Sequence, residues 1–529
     1  MATVEKLYQS FGTLADAKDK AGEHKDEYSF IISATKGNPS EKRLASQFIA
    51  RFFKYFPEQA GQAINALFDL CEDDDSAIRR QAVKDLPTLC KALPEHVAKI
   101  AEALTQLLQW EDPAEVSLVQ SSLLTLLNIN AKDTLKGIFS QIEAEDVEDQ
   151  VREKAIKFLT VKLRTLSDDK LDKDTEEFIW TECKKVLQDV TKDEFIAIMN
   201  VLKGLKTMGT VQGRQQLVET VVELAELEEP FKPSDPDMVD KFIQCVKQAI
   251  PLFSKNVHSK AFMNYMCENV LPVLSELTTS EDEVNVELDV LKVFAEVSEF
   301  CGEIDNPENA VEKLYDNLIS FMPLPTPDEN EDVMTGTEEP KLQFSHVECL
   351  MFAFHQLAGK IPGFLTDPAN AERLKDFRLR LQYFARGVQV YIKQLRAALQ
   401  GKTGDALKTE ENKIKIMALK ITSNINVLIK DLLHNPPSYK SSVTLSWKPI
   451  VAKTVAASES RPSTGQKRTP ITFDSSDGAS AKKINKQSRA IYSPPGGKYS
   501  NKAGTYAGGG RGGGGRGRSF RGRRGYNRF

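Results

Sequence analysis

The residues best suited to chemistry lie late in this 529-residue sequence, where basic side chains are grouped. Lys467-Arg468 forms one cluster, and Lys482-Lys483 with Lys486 forms a second after a spacer of 13 residues. Two basic clusters on a flexible polar tether can dock as point charges into two acidic pockets. The spacing predicts a bipartite nuclear import signal that binds an importin. The alternative is a generic solvated basic segment.

Arginine and glycine dominate the segment that follows the basic clusters. Residues 508–529 contain 10 glycines, seven arginines, three aromatic residues and no acid. Glycine at this density prevents folding, while guanidinium groups and aromatic rings bind phosphates and stack on bases. The composition predicts weak RNA contact of low sequence preference; the alternative is a solubilising tail. The arginines assigned to RNA contact are Arg511, Arg516, Arg518, Arg521, Arg523 and Arg524.

Motifs for catalysis or cofactor binding are missing from the sequence. There is no Gly-x-x-x-x-Gly-Lys-Ser/Thr phosphate loop, no His-Glu-x-x-His metal motif and no Gly-x-Ser-x-Gly nucleophile motif. The six histidines and seven cysteines are dispersed, without a Cys-x-x-Cys pair. We therefore expect reduced thiols, no metal site, no cofactor and no enzymatic activity.

Signals for membranes or secretion are also missing. No apolar run approaches the roughly 18 residues of a membrane span. The opening residues, MATVEKLYQSFG, lack the basic and apolar regions of a signal peptide. We expect a protein of the nucleus, with some in the cytoplasm, and no membrane contact.

The basic tail contrasts with an acidic body. Residues 451–529 contain 17 Lys/Arg and three Asp/Glu, whereas residues 1–449 contain 53 Lys/Arg and 72 Asp/Glu. A charge separation of this size indicates two surfaces with different partners. We expect the body to bind proteins and the tail to provide nuclear import and contact with polyanions.

The body that carries this tail has the pattern of repeated helices. The segment 75–86 returns at 149–159, with Ile or Val, Arg, Ala and Leu at the same relative positions. A period of 33 to 40 residues separates the small residues at equivalent positions, which are Ala45, Ala82, Ser122 and Ala155. Helix-hairpin repeats of the HEAT type have this period. We expect the small residues to permit close helix packing and the arginines to pair with acids of neighbouring repeats; an irregular helical bundle is the alternative.

Local signals also mark the ends of helices. Asp-Pro dipeptides predict helix starts at Asp112, Asp235 and Asp367, and Glu115 has the spacing of a capping box with Asp112. One apolar face of a long helix is predicted from the spacing of Ile414, Met417, Ile421, Ile425, Leu428 and Leu432. Helical patterning stops after residue 435, and the segment 443–447 is predicted to lie back on the body in extended form.

A zipper-like stretch runs from Leu374 to Leu395. Heptad spacing joins Leu374, Leu381, Val388 and Leu395, which by itself is typical of a coiled-coil dimer. Gly387 interrupts the run, and bulky aromatic residues occupy the alternate seam positions. The pattern therefore favours a buried face inside a monomer, with an exposed partner surface as the alternative.

Several long stretches resemble one known family, the apoptosis inhibitor five family. The matching stretches are LCEDDDSAIRRQA (70–82), GRQQLVE (213–219), PLFSKNVHS (251–259), EEPKLQFS (338–345), LQYFARG (381–387) and ALQGKTGDALKTEENKIK (398–415). The resemblance covers essentially the full length. It implies an all-α, elongated right-handed solenoid of antiparallel helix pairs.

The resemblance also implies domains, partners and a role. Residues 1–210 would be HEAT-like and 211–450 ARM-like with a disordered acidic loop at 322–341, followed by the disordered tail. The family is a nuclear, non-enzymatic scaffold that suppresses apoptosis, and its partners are a basic fibroblast growth factor and Acinus. Its regulatory acetylated lysine corresponds to Lys255, and its zipper-like helix to 374–395.

Two other functions remain open. An RNA-binding adaptor in messenger-ribonucleoprotein processing or export would act mainly through the Gly/Arg tail. A carrier of the importin type would share the helical repeats. A carrier has little reason to bear its own import signal, so the scaffold interpretation is preferred.

Overall fold

The computed structural model describes residues 2–144, 148–167, 169–277, 285–324, 342–402 and 407–449. The predicted import signal, the arginines of the Gly/Arg segment and most of the predicted loop at 322–341 lie outside these ranges. Within the described ranges, the only strand-like feature is an isolated bridge between Ser254 and Val257. The all-α prediction is therefore confirmed.

The described residues form twenty α-helices, joined by short turns and 3₁₀ segments. Their bounds are α1 Ala2–Ala17, α2 Lys25–Ser33, α3 Pro39–Phe52, α4 Ala60–Cys71, α5 Ser76–Ala92, α6 Val97–Gln106, α7 Pro113–Ile129, α8 Ala131–Glu143, α9 Asp149–Lys162, α10 Lys173–Val186, α11 Lys192–Lys203, α12 Val211–Leu224, α13 Pro236–Ala249, α14 Lys260–Tyr265, α15 Val286–Ser298, α16 Pro307–Ser320, α17 Phe344–Ala358, α18 Gly363–Thr366, α19 Ala371–Leu399 and α20 Glu410–Leu432. In the described part of the chain, none of them is long and apolar enough to cross a membrane.

Most helices pack against the helix that comes two places later in the chain, as they do in helical repeats. In one row α5 contacts α3 and α7, α13 contacts α11 and α15, and α17 contacts α15 and α20. In a second row α8 contacts α6 and α10. A single hairpin cannot bury its apolar face, so each one is stabilised by its neighbours.

The small residues of the repeat lie where these helices pack together. Ala45, Ala82 and Ala155 are fully buried in α3, α5 and α9. Ser122 of α7 is also buried, and its hydroxyl donates a hydrogen bond to the carbonyl oxygen of Val83 at 3.0 Å. The small side chain thus permits close packing of helices, as the sequence predicts.

Aspartates cap the predicted helix starts. Asp112 accepts a hydrogen bond from the amide of Ala114 at the start of α7, and Asp235 caps α13. Asp367 caps a 3₁₀ turn that precedes α19. The capping-box prediction for Glu115 is wrong, because its buried carboxylate pairs with a guanidinium group of α5 instead.

The predicted apolar face of α20 is only partly buried. Its C-terminal portion packs into the core through residues such as Ile425 and Leu428, which are fully buried. Ile414 and Met417, in the first half, are exposed. All six residues lie on one long helix, as predicted, but no described element covers the first two.

Candidate protein-interaction surfaces

Ion pairs connect successive repeats along one row of helices. Arg79 of α5 donates from Nη2 to both carboxylate oxygens of Glu115 in α7, each at 3.0 Å. Arg152 of α9 pairs with Glu194 of α11 at 3.0 Å. Both acids are buried, so these pairs fix the orientation of neighbouring repeats. The predicted arginine–acid pairing is confirmed.

Charge is divided within the helical body itself. Residues 1–370 contain 38 Lys/Arg and 66 Asp/Glu, a net charge of −28, whereas residues 371–450 contain 15 and six, a net charge of +9. The reversal therefore begins at α19, about 80 residues before the tail. Sequence reasoning missed it by treating residues 1–449 as one acidic body, although the same residue counts contain the signal.

Two carboxylates in the acidic part share a hydrogen bond. Glu143 ends α8, and Glu182 lies on α10. Burial, followed by the hydrogen bond with Glu182, raises the pKa of Glu143 to about 7, while Lys185 opposes this rise. Because like charges repel, Glu143 keeps its proton to a higher pH than an isolated glutamate does, although the ammonium group of Lys185 lies 2.7 Å from Glu182. A cationic side chain of a partner can replace that proton.

The zipper-like stretch lies on α19. Leu381 and Val388 are fully buried, Leu395 is buried and Leu374 is partly buried. Between them, Phe377 packs its ring 5.6 Å from that of Phe354 in α17. This stripe belongs to the core between α19 and α17, so in this conformation it is not available to a partner.

The outward side of the α19–α20 hairpin is apolar and basic. Among the described residues, five of the nine exposed large apolar side chains lie here, namely Leu379, Val390, Ile414, Ile416 and Met417. A shallow groove beside them is lined by side chains that include Lys393, Arg396 and Leu419. Sequence reasoning missed this surface because the spacing of the α20 residues shows that they share a face but not whether that face is covered.

Lys255 lies in the loop between α13 and α14, and its side chain is exposed. Its carbonyl oxygen lies 2.9 Å from Nε2 of His258. The ring of His258 packs on Gly302, whose φ of +63° and whose contacts leave no room for a Cβ. The loop is thus seated on the body while the lysine side chain points to solvent.

In the part of the chain that the structure describes, no three His, Cys, Asp or Glu side chains are grouped to hold a metal ion. All seven cysteines are buried and unpaired. Burial raises the pKa of six of these thiols, which are Cys71, Cys90, Cys183, Cys245, Cys267 and Cys349. Protonated, buried thiols are packing residues.

Comparison with known proteins agrees with the resemblance seen in the sequence. The family model described as Apoptosis inhibitory protein 5 (API5) matches residues 4–528. The mouse and human proteins named Apoptosis inhibitor 5 are each 56% identical over 511 residues, which is 96% of this chain and 98% and 94% of those proteins. The Drosophila melanogaster protein named Apoptosis inhibitor 5 homolog is 43% identical over 95% of this chain and 94% of its own length.

Likeness to solved structures is much weaker. A crystal structure of Kap121p is 14% identical, covers 76% of this chain and 45% of that one, and has a TM-score of 0.31. A score this low carries no argument about function. The near-complete match to the family model and the identities above decide the assignment: the chain belongs to the Apoptosis inhibitory protein 5 family.

Proposed function

We propose that this protein is a nuclear, non-enzymatic scaffold that suppresses apoptosis by binding partner proteins through its helical-repeat body. The relatives' name, Apoptosis inhibitor 5, supports the anti-apoptotic role. The observation that carries the binding mode is the division of charge, with −28 over residues 1–370 and +9 over residues 371–450. Two regions of opposite net charge along the helical body suit two classes of partner.

The acidic part would bind basic proteins, of which a basic fibroblast growth factor is the partner expected from the family resemblance. Complementary potentials speed association and decide between partners. The Glu143–Glu182 pair is a suitable contact, because a partner's Lys or Arg side chain would relieve the repulsion between the two carboxylates, which Lys185 offsets only in part. We expect Acinus, the second partner implied by the resemblance, to bind the helical body as well.

The segments outside the described residues would control location and RNA contact. We propose that the basic clusters at Lys467-Arg468 and Lys482-Lys483 bind an importin, which gives a nuclear protein with a cytoplasmic fraction. The Gly/Arg segment would contact RNA weakly and in a salt-dependent way. Exposed Lys255 is a suitable substrate for acetylation, which would remove one positive charge from the loop after α13.

The test is an affinity purification from RNase-treated nuclear extract, comparing the full chain with residues 1–450 fused to a foreign import signal. Recovery of the same proteins by both forms, including a basic growth factor or Acinus, supports the scaffold. A full-chain variant with Glu143→Gln and Glu182→Gln should recover less basic growth factor, whereas Glu153→Gln, an exposed acid on α9, should not.

An RNA-binding adaptor is the second candidate function. It is favoured by the continuity of positive charge from α19 into the tail, since residues 371–450 and 451–529 are both basic. In that case residues 1–450 recover no partner, and RNase removes the proteins bound to the full chain. That result would replace the scaffold proposal.

A further inference from the structure

Residues 439–448, here called the strap, follow α20 without forming a helix or strand. The strap returns over α20 and α17 as far as α15. Its proximal end is held by Asp431 of α20, which accepts hydrogen bonds from the amide and the hydroxyl of Ser441 at 2.7 and 2.9 Å. His355 Nε2 lies 3.1 Å from the same carboxylate.

A buried carboxylate of α17 receives the centre of the strap. Glu348 has no exposed surface, and it accepts hydrogen bonds from the amide of Ser446 at 3.0 Å and from its hydroxyl at 2.7 Å. The other donor is the Asn424 amide of α20, at 2.7 Å. Because a buried carboxyl group without hydrogen-bond partners is costly, Glu348 favours an occupant that brings an amide and a hydroxyl.

The distal end of the strap meets two acids of α15 and its flanking turn. The indole Nε1 of Trp447 donates to Glu296 at 2.7 Å. The ammonium group of Lys448 lies 3.2 Å from Glu296 and 3.5 Å from Glu299. This end therefore selects an indole followed by a cation.

Side chains of α20 also recognise the strap backbone. Asn424 donates to the carbonyl oxygen of Thr444 at 2.8 Å. Lys420 donates to the carbonyl oxygens of Ser446 and Lys448 at 2.6 and 2.8 Å. These bonds hold the strap through its backbone, which turns at the distal end, where the amide of Lys448 donates to the carbonyl oxygen of Leu445 at 3.0 Å.

The groove does not depend on the strap for its walls. Helices α15, α17 and α20 contact one another directly in the order α15–α17–α20. Leu445 is the one apolar side chain of the strap that is almost fully buried. Tyr439, Val443 and Trp447 are partly buried against the core. The strap is thus held by apolar contacts as well as by hydrogen bonds and ion pairs, all of which another segment of similar sequence can make.

We propose that the groove between α15, α17 and α20 is a peptide-binding site that the strap occupies in cis. Its external ligand is a segment of a partner protein with an apolar residue, a serine or threonine, a tryptophan and a lysine in succession, which turns as residues 445–448 do. Because the strap is tethered at Ser441, its effective concentration is high and it lowers the apparent affinity of the external segment. Release of the strap is the event that exposes the site.

The test uses the full chain and a fluorescein-labelled peptide with the sequence of residues 441–449, SSVTLSWKP. Fluorescence anisotropy compares the unaltered chain with the strap variant Trp447→Ala. The variant is expected to bind the peptide at least tenfold more tightly. Adding Glu296→Ala, which removes the acceptor for the peptide's indole and one acid that faces its lysine, should reverse most of that gain. A scrambled peptide and the exposed control substitution Leu379→Ala should cause no change.

Equal binding of the peptide by the Trp447→Ala variant and the unaltered chain overturns the proposal. Hydrogen exchange on the unaltered chain provides a second measurement that needs no variant. The amide of Ser446 should exchange at least tenfold faster than the buried amides of α17, because the strap opens while the groove stays folded. Exchange of the strap only together with α17 would make it a permanent part of the core and would also overturn the proposal.

Discussion

Substitution of Arg79 by alanine is expected to loosen the junction between α5 and α7. The guanidinium group bonds both oxygens of Glu115 at 3.0 Å, and the side chain of Glu115 is only 4% exposed. Arg79 also donates to the backbone carbonyl of Asp73 at 2.8 Å and lies 5.7 Å from the ring of Trp110. Without the arginine, the carboxylate stays buried and loses its main donor.

The free energy lost in Arg79→Ala can be judged from the burial of the ion pair with Glu115. Breaking a buried ion pair by removing one partner costs about 3–5 kcal/mol. The side chain of Arg79 is 23% exposed, and solvent screening reduces the expected cost to about 2–3 kcal/mol. Since about 1.4 kcal/mol corresponds to a tenfold change in an equilibrium constant, local opening should become about 30- to 150-fold more frequent.

Hydrogen exchange with mass spectrometry on the full chain measures this opening. Peptides from α5 and α7 should exchange faster in Arg79→Ala, while peptides from α13 should not change. The matched control is Lys157→Ala, because Lys157 pairs with Glu153 on the exposed surface of α9. An exposed pair of this kind contributes about 0.3–0.5 kcal/mol, which is less than a threefold change.

A change in Arg79→Ala no larger than that in Lys157→Ala would refute the reasoning. So would acceleration spread evenly over all helices, because the ion pair would then not act at the α5–α7 junction.

Three further predictions concern other parts of the body. Leu381→Ala should cost about 2–5 kcal/mol of unfolding free energy, because the side chain is fully buried, whereas exposed Leu379→Ala should cost less than about 0.5 kcal/mol; chemical denaturation measures both. Gly137→Ala should lower the free energy of unfolding by about 1–3 kcal/mol, because the added Cβ would lie 2.3 Å from a carbonyl oxygen of α6. Gly61→Ala should instead raise the melting temperature, because the space around Gly61 is open. Burial raises the pKa of Asp431, but hydrogen bonds from Ser441 and His355 outweigh burial and leave that pKa below its usual value. The variant Asp431→Asn should therefore melt at a lower temperature than the unaltered chain at neutral pH. This difference should vanish as the pH falls through the pKa of Asp431 in the folded state.

Each of these predictions has a contrary outcome. Equal costs for Leu381→Ala and Leu379→Ala would place the zipper-like stripe outside the core. Equal melting temperatures for the two glycine variants would contradict the close approach of α8 and α6. A stability difference for Asp431→Asn that persists at strongly acidic pH would show that the carboxylate does not act through its charge.

Local sequence patterns were sufficient for the helical class and for the repeat. The caps at Asp112 and Asp235 act through bonds within one turn of helix, so the residues that form them are neighbours in sequence. The small residues at Ala82 and Ala155 recur because every repeat meets the same packing constraint. The pairing of Arg79 with an acid could also be expected, since the arginine recurs with the repeat.

Contacts between distant segments could not be obtained in this way. Glu115 has the spacing of a capping residue, but its carboxylate pairs with α5, which the local pattern does not contain. Ile414 and Met417 continue an apolar stripe, but no described element covers them. A stripe shows which side chains share a face of a helix and leaves open what lies opposite.

The sequence by itself determined that this chain is a helical-repeat protein with a basic tail, because period and charge are properties of neighbouring residues. Only the tertiary structure decided that the stripe from Leu374 to Leu395 is mostly buried, on a helix that packs against α20 and, through aromatic rings, against α17. It also decided that Glu348 receives Ser446, which lies 98 residues further along the chain. Burial of a charge depends on which segments meet in space, and that is the outcome of packing the whole array.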